Sequence, residues 1–190
     1  MKITKFFNTF RKKGQTLQEE IANEQTTTPN ADSGPKEEST QDGSFETYFS
    51  ELQADMVSIC LENVEDRADM IYIYCSFESN VLASSYFYKI NGKVVSRAKL
   101  NDAVGPDEPQ YDVSVARQKE VMNIINDDIR KIRQICMDYD RPMPTEMKII
   151  YDVKKNSLNT DYKYENVYSS SKTKTAYDIA EEWFEEMKRK

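Results

Sequence analysis

The chain has no histidine among its 190 residues. That absence removes Ser-His-Asp and Cys-His nucleophilic pairs, His-containing zinc sites and the usual proton shuttle near neutral pH. Only carboxylate, Lys or Tyr acid–base chemistry remains. Cysteine is scarce and odd in number: Cys60, Cys75 and Cys136 lie far apart, with no C-x-x-C. Each sits in an apolar-periodic run, so buried, reduced thiols are expected in place of a disulfide or a metal site. Glycine is also rare, at five residues, and no Gly-rich phosphate loop is present. No apolar stretch approaches the length of a membrane span. No cofactor or metal is implied.

What is present is charge. Charged residues make up 31% of the chain, with 33 Asp and Glu against 26 Lys and Arg, a net charge of −7. An acidic surface repels phosphate backbones, which argues against direct nucleic-acid binding. A basic protein is the better-matched partner, because complementary fields speed encounter.

Composition divides the chain into three parts. Residues 1–14, MKITKFFNTFRKKG, carry five cations and no acid. Ile3, Phe6, Phe7 and Phe10 fall on one face of a short helix, with Lys12 among the flanking cations. Such a basic amphipathic helix can contact an anionic membrane surface weakly, or it can simply fray or dock on protein. It lacks the features of a secretory signal or a myristoylation site. Residues 15–43 hold almost nothing apolar beyond Leu17, Ile21 and Ala22 and read as a disordered linker. Residues 44–190 read as one folded domain.

Within that domain the periodicities give an order of α-β-β-β-α-β-β-α. Ser44 is the expected N-cap of a helix with Phe45, Phe49, Leu52, Met56 and Ile59 on its apolar stripe. A strand over 69–77 alternates Ile71, Ile73, Cys75 and Phe77 with Met70, Tyr72, Tyr74 and Ser76, which predicts a wet, tyrosine-bearing face. Strands at 83–90 and 93–100 meet at Asn91-Gly92, a strong hairpin signal. A helix over 113–139 carries Val121, Ile125, Ile129, Ile132, Cys136 and Tyr139 and stops at Arg141-Pro142-Met143-Pro144. Strands at 146–153 and 158–166 flank the Lys155-Asn156-Ser157 turn. A last helix begins at Ala176, where Thr175 and Asp178 form a capping box; Ala176, Ala180, Trp183, Phe184 and Met187 mark its apolar face. The class is α+β, with a mostly antiparallel five-stranded sheet and helices packed on it.

The carboxylate pairs Asp127-Asp128, Glu181-Glu182 and Glu185-Glu186 all fall on predicted helices, where solvated faces are the expectation. A carboxylate-dependent enzyme is therefore disfavoured. Tyrosine is the more telling residue, with 12 in the chain. Tyr72, Tyr74, Tyr86, Tyr88, Tyr162 and Tyr164 recur at i, i+2 spacing in strands, either half-buried under helices or presented to a partner.

The element order, the Y-x-Y-E-N-x-Y segment from Tyr162 to Tyr168, and the acidic, Trp-bearing last helix (Trp183, Glu185, Glu186) together resemble the YezG-like antitoxin family. These are cytoplasmic immunity proteins of Gram-positive bacteria. The likeness spans residues 45–190 and leaves the first 44 residues unexplained. It implies a non-catalytic protein that binds a toxin of type VII secretion, often a nuclease, before export. The toxin-binding residues expected on this reading are Asp161, Tyr162, Tyr164, Glu165 and Tyr168. The competing reading is a peripheral-membrane adaptor on the inner face of the membrane, with residues 1–14 as its functional part.

Overall fold

The computed structural model describes residues 44–190. The expected amphipathic helix at 1–14, with its membrane contacts Ile3, Phe6, Phe7, Phe10 and Lys12, lies outside the described residues, as does the 15–43 linker. Helix α1 spans Phe45–Asn63, and Ser44 caps it by accepting the Thr47 N–H at 3.3 Å. Strands β1 (Met70–Glu78), β2 (Val81–Ile90) and β3 (Lys93–Ser96) follow. Helix α2 covers Val115–Asp138, β4 Glu146–Asp152, β5 Ser157–Lys163, and α3 Ala176–Arg189. The predicted order α-β-β-β-α-β-β-α is the one found. The five strands form an antiparallel sheet in the spatial order β3-β2-β1-β4-β5.

Turn chemistry explains the hairpins. Asn91 and Gly92 both take positive φ, as do Ser79 and Asn80 between β1 and β2. Two successive left-handed residues match the right-handed twist of the strands they join. At α3, Thr175 accepts the Asp178 N–H while the Asp178 carboxylate accepts the Thr175 N–H at 2.8 Å, closing the predicted capping box.

Both faces of the sheet are covered. On one, α1 and α2 pack Met56, Val57, Cys60, Val121, Ile125, Ile129 and Ile132 against Ile71, Ile73, Cys75, Tyr86, Tyr88, Met147 and Ile149. On the other, α3 sets Ile179, Ala180, Trp183 and Met187 against Tyr72, Tyr74 and Phe87. The wet face expected for β1 is therefore dry. Tyr72 and Tyr74 are buried, and Trp183 meets Tyr72 edge-on at 5.8 Å and Phe87 at 5.1 Å. Alternation distinguishes two faces of a strand; a helix arriving a hundred residues later decides which of them see water.

Two strands are shorter than expected. The third ends at Ser96, because the chain turns to seat Leu100 in the core through a 3₁₀ turn, Leu100–Ala103. The fifth ends at Lys163: the Thr145 hydroxyl donates to the carbonyls of both Lys163 and Glu165 and draws the chain off the sheet. Cys60, Cys75 and Cys136 are free and buried, as their runs imply, and burial pushes the Cys60 thiol up to about 12. Among the described residues, no helix is long and apolar enough to cross a membrane.

Candidate functional site: an aromatic groove beside the open sheet edge

Among the described residues, strand β5 bonds to β4 alone and forms one edge of the sheet. Residues Leu158, Thr160 and Tyr162 share the face over which α1 begins. There Gln53, itself buried, donates to the Tyr162 hydroxyl at 2.8 Å and to the Thr160 hydroxyl at 3.3 Å. These bonds hold the strand edge to the helix. Phe49 meets the Tyr162 ring edge-on at 5.9 Å, Phe45 lies 5.4 Å from Phe49, and Tyr139 lies 5.9 Å from Phe45.

An open groove of about 360 Å³ runs between these rings, lined by Phe45, Glu46, Phe49, Arg141, Tyr162 and Tyr164. The Arg141 guanidinium stands 5.7 Å from the Phe45 ring centre and 3.8 Å from the Glu46 carboxylate. At 40% and 56% exposure, Tyr162 and Tyr164 keep much of their ring area reachable. Rigid aromatic surface with a polar tip, next to a charged pair, suits protein recognition.

The five residues expected to form a single binding surface do not share one face. Tyr162 and Tyr164 line the groove. Asp161 is exposed on the opposite side of the strand, as alternation requires, beside Asn159 and Lys163. Glu165 is exposed on the outgoing segment, where its carboxylate accepts the Tyr164 N–H at 3.3 Å. Tyr168 is corrected outright: it is only 9% exposed, packs in the α3 core, and its hydroxyl accepts from Ser76 at 3.0 Å. The cause is Glu78, whose carboxylate accepts the backbone N–H groups of Val167 at 2.7 Å and Ser169 at 2.9 Å. That clamp pulls residues 167–169 under the sheet. Burial alone would raise the Glu78 carboxyl, but the Ser169, Val167 and Tyr168 hydrogen bonds outweigh it and hold the group below its ordinary value.

Sequence reasoning placed Phe45 and Phe49 on an ordinary core stripe and read Arg141-Pro142 only as a helix stop. The signal that could have joined them was the density of aromatics in the first turns of α1, Phe45, Tyr48 and Phe49. Asp128, expected on a solvated face, lies away from solvent. It is fully buried, with Oδ1 accepting from Lys131 at 2.9 Å and Oδ2 without a hydrogen-bond partner among the described residues. Burial, then the nearby Asp55 charge, push its carboxyl up to about 7 against the pull of Lys131. Glu146 is likewise buried and pairs with Lys163 at 3.0 Å. It ties β5 to β4 from the α3 side.

Among the described residues, no group of His, Cys, Asp and Glu side chains is arranged to hold a metal ion. No protein-family model and no curated protein matches the chain.

Proposed function

We propose that this chain is an immunity protein, which neutralises a cognate secreted bacterial toxin by covering its active surface. The observation that carries the reading is the pair of half-exposed tyrosines, Tyr162 and Tyr164, at the rim of an open aromatic groove. The net charge of −7 supports a basic partner, such as a nuclease whose cations otherwise hold phosphate. The likeness to YezG-like antitoxins supplies the toxin class. Tyrosines contribute contact area and a slow off-rate, and the exposed carboxylates of Asp161 and Glu165 steer encounter. No catalytic step is required of the chain.

The test begins with the polypeptide encoded beside this chain. Expressed alone it should arrest growth, and co-expression of this chain should restore it. Tyr164→Ala should abolish that protection and speed dissociation of the purified complex while leaving the melting temperature unchanged. Protection that survives Tyr164→Ala together with Phe45→Ala at undiminished affinity would sink the assignment of the groove. A harmless neighbour would sink the immunity reading itself.

The second reading, a peripheral-membrane adaptor, rests on the five cations and the apolar face of Ile3, Phe6, Phe7 and Phe10 within 1–14. Binding to anionic vesicles that is released by salt and lost on deleting residues 1–14 would favour it.

A further inference from the structure

The two edges of the sheet are unequal. Strand β3 has four residues, whereas β5 has seven, contains no proline, and is exposed along most of its length. A long unguarded edge is a template for another strand.

The hydrogen-bond phase of β5 can be worked out from its neighbours. Phe77 donates its N–H to the Thr145 carbonyl, and Val153 donates to the Asp69 carbonyl, one bond at each end of the β1–β4 ladder. Alternation then turns the peptide groups of Met147, Ile149 and Tyr151 toward β1 and those of Glu146, Lys148, Ile150 and Asp152 toward β5. Their register partners Ser157, Asn159, Asp161 and Lys163 point inward. The Lys163 carbonyl confirms the phase by accepting the Thr145 N–H at 2.8 Å. Leu158, Thr160 and Tyr162 therefore present their N–H and C=O groups to the open edge.

We infer that β5 pairs antiparallel with β5 of a second copy of this chain, about a two-fold axis passing at Thr160. This register alone matches every residue of β5 to one in the other copy. It sets Leu158 against Tyr162 and Thr160 against itself, the residues whose backbone groups point to the edge and, among the described residues, are placed to exchange both N–H···O bonds. On the α1 face, two partly exposed apolar side chains, Leu158 and Tyr162, cover one another at each end. On the α3 face, Asp161 meets Asn159, and Lys163 meets Ser157. No like charges oppose each other. Moving the axis one residue, to Asp161, would oppose two aspartates and leave Ser157 and Leu158 unmatched within the strand. An isologous interface requires such self-complementarity. The result is a continuous ten-stranded sheet with an aromatic groove on each side of the axis, where the second copy's Leu158 extends the wall at Tyr162. The contact is narrow, so the dimer is concentration-dependent. This inference stands apart from the immunity reading, because the protein alone tests it.

Sedimentation of the purified full chain over a wide concentration range should show a monomer–dimer equilibrium. Asn159→Lys places a cation opposite Asp161 twice and should tighten the dimer. Asn159→Asp opposes like charges twice and should loosen it, each by roughly two- to thirtyfold. Thr160→Pro removes an N–H that has no partner in β4 and should give a monomer with intact circular dichroism. If Thr160→Pro fails to fold, the Asn159 pair decides. A wild-type chain that stays monomeric at every concentration overturns the inference. So does a dimer whose dissociation constant is the same in Asn159→Lys and Asn159→Asp.

Discussion

Gln53 donates a 2.8 Å hydrogen bond to the Tyr162 hydroxyl, and that bond joins α1 to β5 across 109 residues of sequence. Tyr162→Phe keeps the ring beside Phe49 but removes the shorter bond of the buried Gln53 amide and leaves the longer one to Thr160. The expected cost is about 0.5–1.5 kcal/mol, read from urea denaturation, with no change in the slope of the transition. A loss near zero would mean that the strand edge is not held by this bond.

Glu78 gives the acid limb of stability. Its folded pKa lies below the ordinary value of 4.5, so its contribution is fully present above that pH. It is lost as pH falls through the folded pKa. Glu78→Gln should flatten the fall in melting temperature below pH 4.5. It should also speed amide exchange at Val167 and Ser169, whose N–H groups the carboxylate now accepts.

Asp128 acts in the opposite sense. Its folded pKa, about 7, stands above the ordinary 3.8, so the native state binds more protons between those values. Stability should therefore decline as pH rises toward 7 and level off beyond. Asp128→Asn should remove that decline and leave the variant more stable than wild type at pH 8, by on the order of 1–4 kcal/mol. The advantage should shrink toward pH 5, where wild-type Asp128 is protonated in the fold. Equal stability profiles would show that Lys131 already offsets the burial.

The docking of α3 can be followed with the chain's single tryptophan. Trp183 is buried edge-on against the stacked rings of Tyr72 and Phe87, so its emission should be blue-shifted and should move red on unfolding. Thr175→Ala breaks the capping box and should cost about 1 kcal/mol. The fluorescence transition should shift by the same amount as the far-ultraviolet one. A fluorescence change that precedes the other would show α3 leaving the sheet on its own.

Much of this fold could be read from local chemistry. Ser44 and Thr175 mark helix starts because a side-chain oxygen there satisfies an otherwise unpaired N–H, a purely local need. Asn91-Gly92 marks its hairpin because those residues tolerate positive φ. The site was less legible, for a physical reason in each case. The burial of Tyr72 and Tyr74 depends on α3, which is remote in sequence. Asp128 sits one residue from exposed Asp127, and a single helical step separates water from core. Tyr168 follows the end of β5, where no periodicity operates and a distant carboxylate, Glu78, sets the path. The groove needed three such remote pieces: the start of α1, the turn after α2, and the end of β5.

The sealed cysteines have a practical corollary. All three thiols of the chain lie in the core, and burial raises each above its ordinary pKa, which suppresses the reactive thiolate. Toward a maleimide the folded domain should behave as though it had no cysteine. A thiol introduced at Tyr164 would then be the single point of attachment, and a dye or spin label placed there would report on the groove without any native cysteine having been removed first.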